Sequence, residues 1–145
     1  MLWNDSVGYQ ISNTGRKLSQ LLSLRFQPHG LTSEQWAVLY RLCEAEGITQ
    51  RALAERTEKD PTNVTRILDQ LERKGLVRRE PNREDRRSFM LTATRQGREL
   101  AAELAPIERQ IAGELVAGLE PEQLEAFRAV MAQVNRNAER LRQSE

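Results

Sequence analysis

The chain has 145 residues, which is long enough for one domain with its own core. Its single cysteine cannot form a disulfide within the chain. No apolar run reaches the roughly 20 residues that a membrane-spanning helix needs, and the first residues do not form a secretory signal, so we expect a cytoplasmic protein with no membrane partner. The net charge is only +1. Residues 49–98, however, carry thirteen Lys and Arg against eight Asp and Glu, whereas residues 99–145 carry five against nine. This basic middle segment is typical of nucleic-acid binders.

Two helices are predicted before the basic segment. The first runs from Asp5 to Gln27, and its apolar stripe includes Val7, Ile11 and Leu18. The second begins at Thr32, because a threonine followed three residues later by Gln35 is a capping-box signature. Gly47 is predicted to end it.

A helix-turn-helix is predicted next. Thr49 caps the shorter helix in this prediction, and Ile48 and Leu53 occupy the positions of a hydrophobic staple. The glycine that often occupies the turn of this motif is absent. The connection is therefore longer than in the tightest form of the motif.

The longer helix of the pair has the clearest start, with Asp60 as the cap and Pro61 at the first helical position. Gly75 is predicted to end it. Apolar residues recur on one side at Val64, Ile67, Leu68 and Leu71. The other side carries hydroxyl, amide and guanidinium groups, which suit base edges and phosphates in a major groove. For this helix alone, a solvated polar face is an equally good interpretation.

An antiparallel hairpin is predicted after this helix, with strands at Leu76–Glu80 and Ser88–Ala93. Its tip, residues 81–87, carries three arginines, which suit phosphates or the negative potential of a narrow minor groove. Two acidic residues in the tip weaken this charge argument. We predict that one of them, Asp85, folds back on an arginine and stiffens the tip.

Two helices are predicted at the C-terminal end. One runs from a cap at Thr94 through about Gly118, with a kink at Pro106. The other opens near Pro121 and repeats apolar residues at separations of three and four, a seam typical of helix pairing. Such stripes can fill the core of one monomer. Because the middle segment already has its own core, we expect the terminal helices to pack mainly on each other and on a second copy.

Enzymatic and metal chemistry find little support. His29 is the only histidine, and glycine-rich phosphate loops and nucleophile elbows are missing. Cys43 falls on the apolar side of the second helix, where a cysteine behaves as a small hydrophobe with a raised pKa rather than as a redox sensor. We therefore predict no enzyme, no cofactor and no metal.

The run DPTNVTRILDQLERKGLVRREPNREDRRSFMLTATRQGREL, with its DRR before a strand and its T-x-x-G, resembles the core of the MarR family of bacterial transcriptional regulators. The motif-level match covers roughly residues 30–105. The resemblance implies a homodimeric repressor or activator of a palindromic operator, often responsive to a small ligand. The expected fold is mainly α with a small β-hairpin wing: one domain, 1–145, with a winged helix-turn-helix at 30–93 and dimerisation helices at 1–29 and 94–145.

Three sets of site residues follow from the patterns and the resemblance. DNA contacts are assigned to Thr49, Gln50, Thr62, Asn63, Thr65, Arg66, Arg73, Arg83, Arg86 and Arg87. The dimer interface is assigned to Val7, Ile11, Leu18, Leu124, Phe127, Met131, Val134 and Leu141. A pocket for a small aromatic or anionic effector is assigned to Tyr9, Arg16, Trp36 and Tyr40, although packing explains these four equally well. The alternative function is a winged-helix module that binds another protein without specific DNA binding.

Overall fold

The computed structural model describes residues 6–45 and 47–144. The elements in chain order are α1 Val7–Phe26, α2 Ser33–Cys43, β1 Ile48–Thr49, α3 Gln50–Thr57, α4 Pro61–Arg73, β2 Val77–Pro81, β3 Phe89–Ala93, α5 Arg95–Leu115 and α6 Pro121–Gln143. A 3₁₀ turn, Gln27–His29, follows α1. The predicted class, mainly α with a β wing, is confirmed.

Local capping chemistry determines where the central helices begin, as predicted. The Thr32 hydroxyl accepts the N–H of Gln35 at 3.1 Å, and the Gln35 side chain accepts the N–H of Thr32 at 3.2 Å. Asp60 accepts the N–H of Thr62 at 3.3 Å, and Pro61 occupies the first position of α4. Gly75 follows α4 in the left-handed region with a φ of 75°, a conformation that favours glycine.

Some helix boundaries differ from the prediction. Ser6 caps α1 by accepting the N–H of Tyr9, whereas the predicted start at Asp5 lies outside the described residues. The second helix ends at Cys43, so Gly47 is too far along the chain to end it. The fifth helix continues through Pro106 and ends at Leu115, before the predicted Gly118.

The sheet has three strands rather than the predicted two. Its order is β1-β3-β2, and all pairs are antiparallel. Ile48 of β1 pairs with Leu91, while Val77 of β2 pairs with Ala93. The prediction missed β1 because a strand of two residues has no alternation to detect.

The turn between α3 and α4 uses Glu58 where a helix-turn-helix often has glycine. Glu58 has a φ of 54°, which lies in the left-handed region. Its N–H donates to the carbonyl of Glu55, so it closes the last turn of α3. A non-glycine residue adopts this conformation at some cost in strain.

The chain divides into two compact units, residues 1–108 and 109–145. The core of the first unit joins α2, α3, α4 and the sheet, with Leu39, Leu53, Leu68 and Leu91 fully buried. In the second unit α6 has no buried side chain. Over the described residues, no helix is both long enough and apolar enough to cross a membrane.

Candidate nucleic-acid interface

The outward side of α4 is fixed by its inward side. Val64, Ile67, Leu68 and Leu71 are all 0% exposed, so the helix cannot rotate without exposing them. Polar residues consequently occupy the outer surface: Thr62, Thr65, Arg66 and Arg73 are exposed, and Asn63 is half-buried. These are the residues of α4 that the sequence assigned to DNA contact.

The start of α3 is hydrogen-bonded to this outer surface. The Gln50 amide donates to the Thr65 hydroxyl at 2.6 Å, and that hydroxyl donates to the carbonyl of Pro61 at 3.0 Å. The hydroxyl of Thr49 accepts the N–H of Ala52 at 3.1 Å and so caps α3. Gln50 therefore lies beside the exposed side of α4, whereas the side chain of Thr49 is engaged in a cap.

Arg66 is held by two neighbouring groups. Its Nη2 donates to Asn63 Oδ1 at 2.8 Å and to Glu34 Oε2 at 3.2 Å. Glu34 belongs to the first turn of α2, 32 positions earlier in the chain. Sequence reasoning assigned no role to Glu34, since no local pattern relates the two helices.

The hairpin is tied to α4 by Arg79, which sequence reasoning also missed. Arg79 Nη1 lies 2.6 Å from Asp69 and 3.7 Å from Glu72, and its side chain is only 18% exposed. Its Nη2 donates to the carbonyl of Thr65 at 3.4 Å. The sequence did contain a signal for this contact: side chains alternate along a strand, so Arg79 lies on the same side of β2 as the buried Val77. Among the described residues, its buried Nε has no acceptor.

The tip of the hairpin is shaped by side chains that bind the backbone. Asn82 donates to the Ser88 hydroxyl at 3.0 Å and accepts the N–H of Glu84 at 3.1 Å. Asp85 accepts the backbone N–H of Arg87 at 3.0 Å. Asp85 therefore folds back on an arginine as predicted, and the group that it binds is the backbone N–H of Arg87 rather than the guanidinium.

The arginines of the tip remain exposed. The side chains of Arg83, Arg86 and Arg87 lie on the surface, and within residues 6–45 and 47–144 none of them forms an ion pair. Their charges are therefore free to meet an anionic partner.

The T-x-x-G motif joins the end of α4 to the start of α5. The Thr94 hydroxyl donates to the carbonyl of Gly75 at 2.6 Å and accepts the N–H of Gly97 at 3.1 Å. The backbone of Gly97 lies so close to Leu76 that an added Cβ would overlap the Leu76 carbonyl. The glycine is required by this close approach.

The residues assigned to the dimer interface leave apolar surface uncovered. Val7 of α1 is 62% exposed, and Phe127 and Leu141 of α6 are 60% and 62% exposed. The other members are half-buried: Ile11, Leu18, Leu124, Met131 and Val134. Val130, which was not assigned, is 59% exposed. The interface itself stays a prediction.

The four residues assigned to an effector pocket differ in their burial and in their hydrogen-bond partners. Trp36 is 2% exposed, its ring lies 5.4 Å from those of Phe26 and Tyr40, and its indole N–H donates to Glu108 at 2.5 Å. Tyr9 is half-buried, and Arg16 is exposed and donates to Asn13. None of the four lines an open groove of about 620 Å³ formed by Ser19, Gln20, Ser23, Leu24, Gln27, Leu31 and Thr32.

Cys43 and His29 have ordinary structural surroundings. Burial raises the pKa of the Cys43 thiol, and the nearby charge of Arg98 opposes that rise. His29 Nδ1 lies 3.2 Å from Glu103. No cluster of three metal-ligating side chains occurs among the residues that the structure describes.

Comparison with known proteins finds relatives of one kind. A model described as MarR family matches residues 29–88. The uncharacterized HTH-type transcriptional regulator YwoH of Bacillus subtilis (strain 168) is 29% identical over 124 residues, covering 86% of this chain and 90% of YwoH. A mutant of MarR from E. coli complexed with operator DNA is 26% identical, with a TM-score of 0.84, and the match covers 92% of this chain and 98% of that one. The S. aureus MepR–DNA complex is 23% identical, with a TM-score of 0.85 over 91% of this chain and 98% of that one, and shares its fold.

Proposed function

The chain belongs to the MarR family of winged helix-turn-helix transcriptional regulators, and we propose that it is a homodimeric repressor of a palindromic operator. Members of this family are non-enzymatic DNA-binding proteins. One observation carries the proposal: a polar helix face and a basic hairpin tip belong to one unit and are tied together by Arg79. We place the protein in the cytoplasm, because its target is chromosomal DNA.

In this proposal α4 lies in the major groove. The hydroxyls of Thr62 and Thr65 and the amide of Asn63 meet phosphates or base edges, and Arg66 contacts a base. An arginine that binds both acceptors of a guanine contributes roughly 1–3 kcal/mol of discrimination. The complete burial of Leu68 and Leu71 behind this face supports the assignment, because it holds the outer groups in a fixed orientation.

The hairpin tip contacts the neighbouring minor groove or its phosphates. Arg83, Arg86 and Arg87 contribute the positive charge, and the ion pairs of Arg79 with Asp69 and Glu72 hold β2 against α4. Because β2 is held in this way, the tip has a defined position relative to α4. A defined spacing between the two contacts is what a single operator half-site requires.

The dimer pairs the apolar sides of the terminal helices of two copies. The exposure of Phe127, Val130 and Leu141 supports this proposal, since such a stripe is costly to leave in water. Two copies related by a twofold axis would set their reading helices about 34 Å apart, the separation of successive major grooves on one face of DNA. The operator is therefore an inverted repeat.

A small aromatic or anionic effector releases the repressor in this proposal. Release requires that the effector bind more tightly to a conformation whose reading helices no longer match the two grooves. The hydrogen bond from Trp36 of α2 to Glu108 of α5 supports a coupling between these two helices.

Genome-fragment selection with the purified protein tests the proposal. We expect the retained fragments to share an inverted repeat whose half-sites lie about 10 base pairs apart, centre to centre. A protein-interaction module would retain fragments with no common sequence and with little dependence on salt. That outcome would replace the regulator with the module as the function.

A further inference from the structure

We propose that Glu34 is an intramolecular competitor of DNA for Arg66, so that the carboxylate sets how tightly the operator is bound. This inference rests on the proposed function, in which α4 reads DNA. It concerns a residue of α2, outside the reading helix and the hairpin. The consequence is a protein whose operator affinity lies below the maximum that its own DNA-contacting residues allow.

The hydrogen bonds of Arg66 carry the inference. A guanidinium Nη2 has two hydrogens, and here one donates to Asn63 at 2.8 Å and the other to Glu34 at 3.2 Å. A two-bond contact with guanine uses Nη2 together with Nη1 or Nε, because these pairs of donors lie along the two edges of the fork. Both edges are therefore blocked while Arg66 stays bound to Glu34 and Asn63.

The ion pair is arranged so that DNA can displace it. Glu34 and Arg66 have side chains that are 48% and 52% exposed, so the pair is weak and its partners are open to exchange. Asn63 lies on α4 itself and is uncharged, so its bond to Arg66 opposes DNA less than the carboxylate does. When the ion pair opens, the guanidinium can instead donate two hydrogen bonds to a guanine.

The position of the Glu34 carboxylate is also favourable for the stability of α2. Glu34 belongs to the first turn of α2, where the helix dipole favours a negative charge. Asp60 and Asp69, two other carboxylates at the start of α4 and within it, bind the N–H of Thr62 and the side chain of Arg79. Among the described residues, Glu34 is thus the acidic side chain that forms an ion pair with Arg66.

The test is a double-mutant cycle on DNA binding, with the duplex that wild-type protein enriches from a random-sequence pool and a shuffled duplex of equal composition as probes. Glu34→Gln should tighten binding to the enriched duplex about two- to fivefold, the range that breaking one exposed ion pair allows. The shuffled duplex should gain no more than the enriched one. In an Arg66→Ala background, Glu34→Gln should change neither affinity.

A matched control separates competition from general repulsion. Glu44→Gln removes the same charge from the other end of α2, where Glu44 pairs with Arg41 at 3.3 Å, and it should leave both affinities unchanged. If Glu34→Gln tightens binding equally in the Arg66→Ala background, the effect is long-range repulsion and the proposal is overturned. Weaker operator binding by a folded, dimeric Glu34→Gln protein overturns it too, because the carboxylate would then be supporting the contact.

A failure of the proposed function, DNA reading by α4, gives different results from a failure of the Glu34 proposal. If wild-type protein enriches no sequence, or if Arg66→Ala binds the enriched duplex as tightly as wild type, α4 does not read DNA through Arg66. If both of those results agree with the proposed function while Glu34→Gln has no effect, the competition by Glu34 alone is refuted.

Discussion

Replacing Gly97 with alanine should destabilise the first unit, because the joint between α4, β2 and α5 leaves no room for a Cβ. The added carbon would overlap the carbonyl oxygen of Leu76 and lie 3.1 Å from its carbonyl carbon. Overpacking costs about 1–3 kcal/mol. Weakening the bond from the Thr94 N–H to that oxygen, 3.0 Å long, adds about 1 kcal/mol. The higher helix propensity of alanine offsets about 0.5–1 kcal/mol, so the expected net loss is about 1–3.5 kcal/mol.

Urea unfolding at a fixed protein concentration measures this loss, since the stability of the proposed dimer would depend on concentration. With a typical slope of about 2 kcal/mol per molar urea, the midpoint should fall by about 1 M. Gly113→Ala is the matched control, because Gly113 belongs to the same helix and has nothing within 4 Å of an added Cβ. That variant should gain about 0.5–1 kcal/mol. A midpoint for Gly97→Ala at or above wild type would refute the reasoning.

Three further predictions concern binding and assembly. Arg87→Ala should leave the fold intact and weaken DNA binding, with the log–log salt slope falling by about 0.9 for each phosphate that the variant no longer binds; an unchanged slope and affinity would remove Arg87 from the interface. Phe127→Glu should give a monomer in light scattering, because in the proposed dimer the carboxylate would lose its hydration without gaining a partner. Ala129→Glu, on the opposite side of α6, is the control and should leave the dimer intact. A dimeric Phe127→Glu protein would place the interface elsewhere. Salicylate, at concentrations on the order of millimolar, should weaken operator binding by the wild-type protein, and it should weaken binding by Trp36→Ala to a smaller extent. Operator DNA should in turn weaken salicylate binding by the same factor. Equal salicylate affinity with and without operator would exclude the coupling.

Features coded by neighbouring residues were the ones that the sequence predicted well. The cap at Thr32 and the cap at Asp60 depend on residues one to three positions away, and the structure confirms both. The amphipathic period of α4 likewise identified its buried and exposed sides, including Leu68 and Arg66. These features are visible in one sequence because each is decided within one or two helical turns.

Features that depend on distant partners were missed. Strand β1 exists because Ile48 pairs with Leu91, and neither residue predicts the other. The ion pair of Arg79 with Asp69 spans a turn, and that of Arg66 with Glu34 spans two helices. Charge on a hairpin or a helix face could be predicted, but the acceptor that each guanidinium selects depends on the tertiary arrangement.

The most direct test of the central claim, sequence-specific DNA binding by this fold, is the ratio of two dissociation constants. The Kd of the wild-type protein is measured across a salt series for the fragment enriched by selection and for its shuffled version. We predict a preference of at least about a thousandfold for the enriched fragment, with log affinity falling steeply and linearly against log salt. Equal affinity for the two duplexes at every salt concentration would contradict the account.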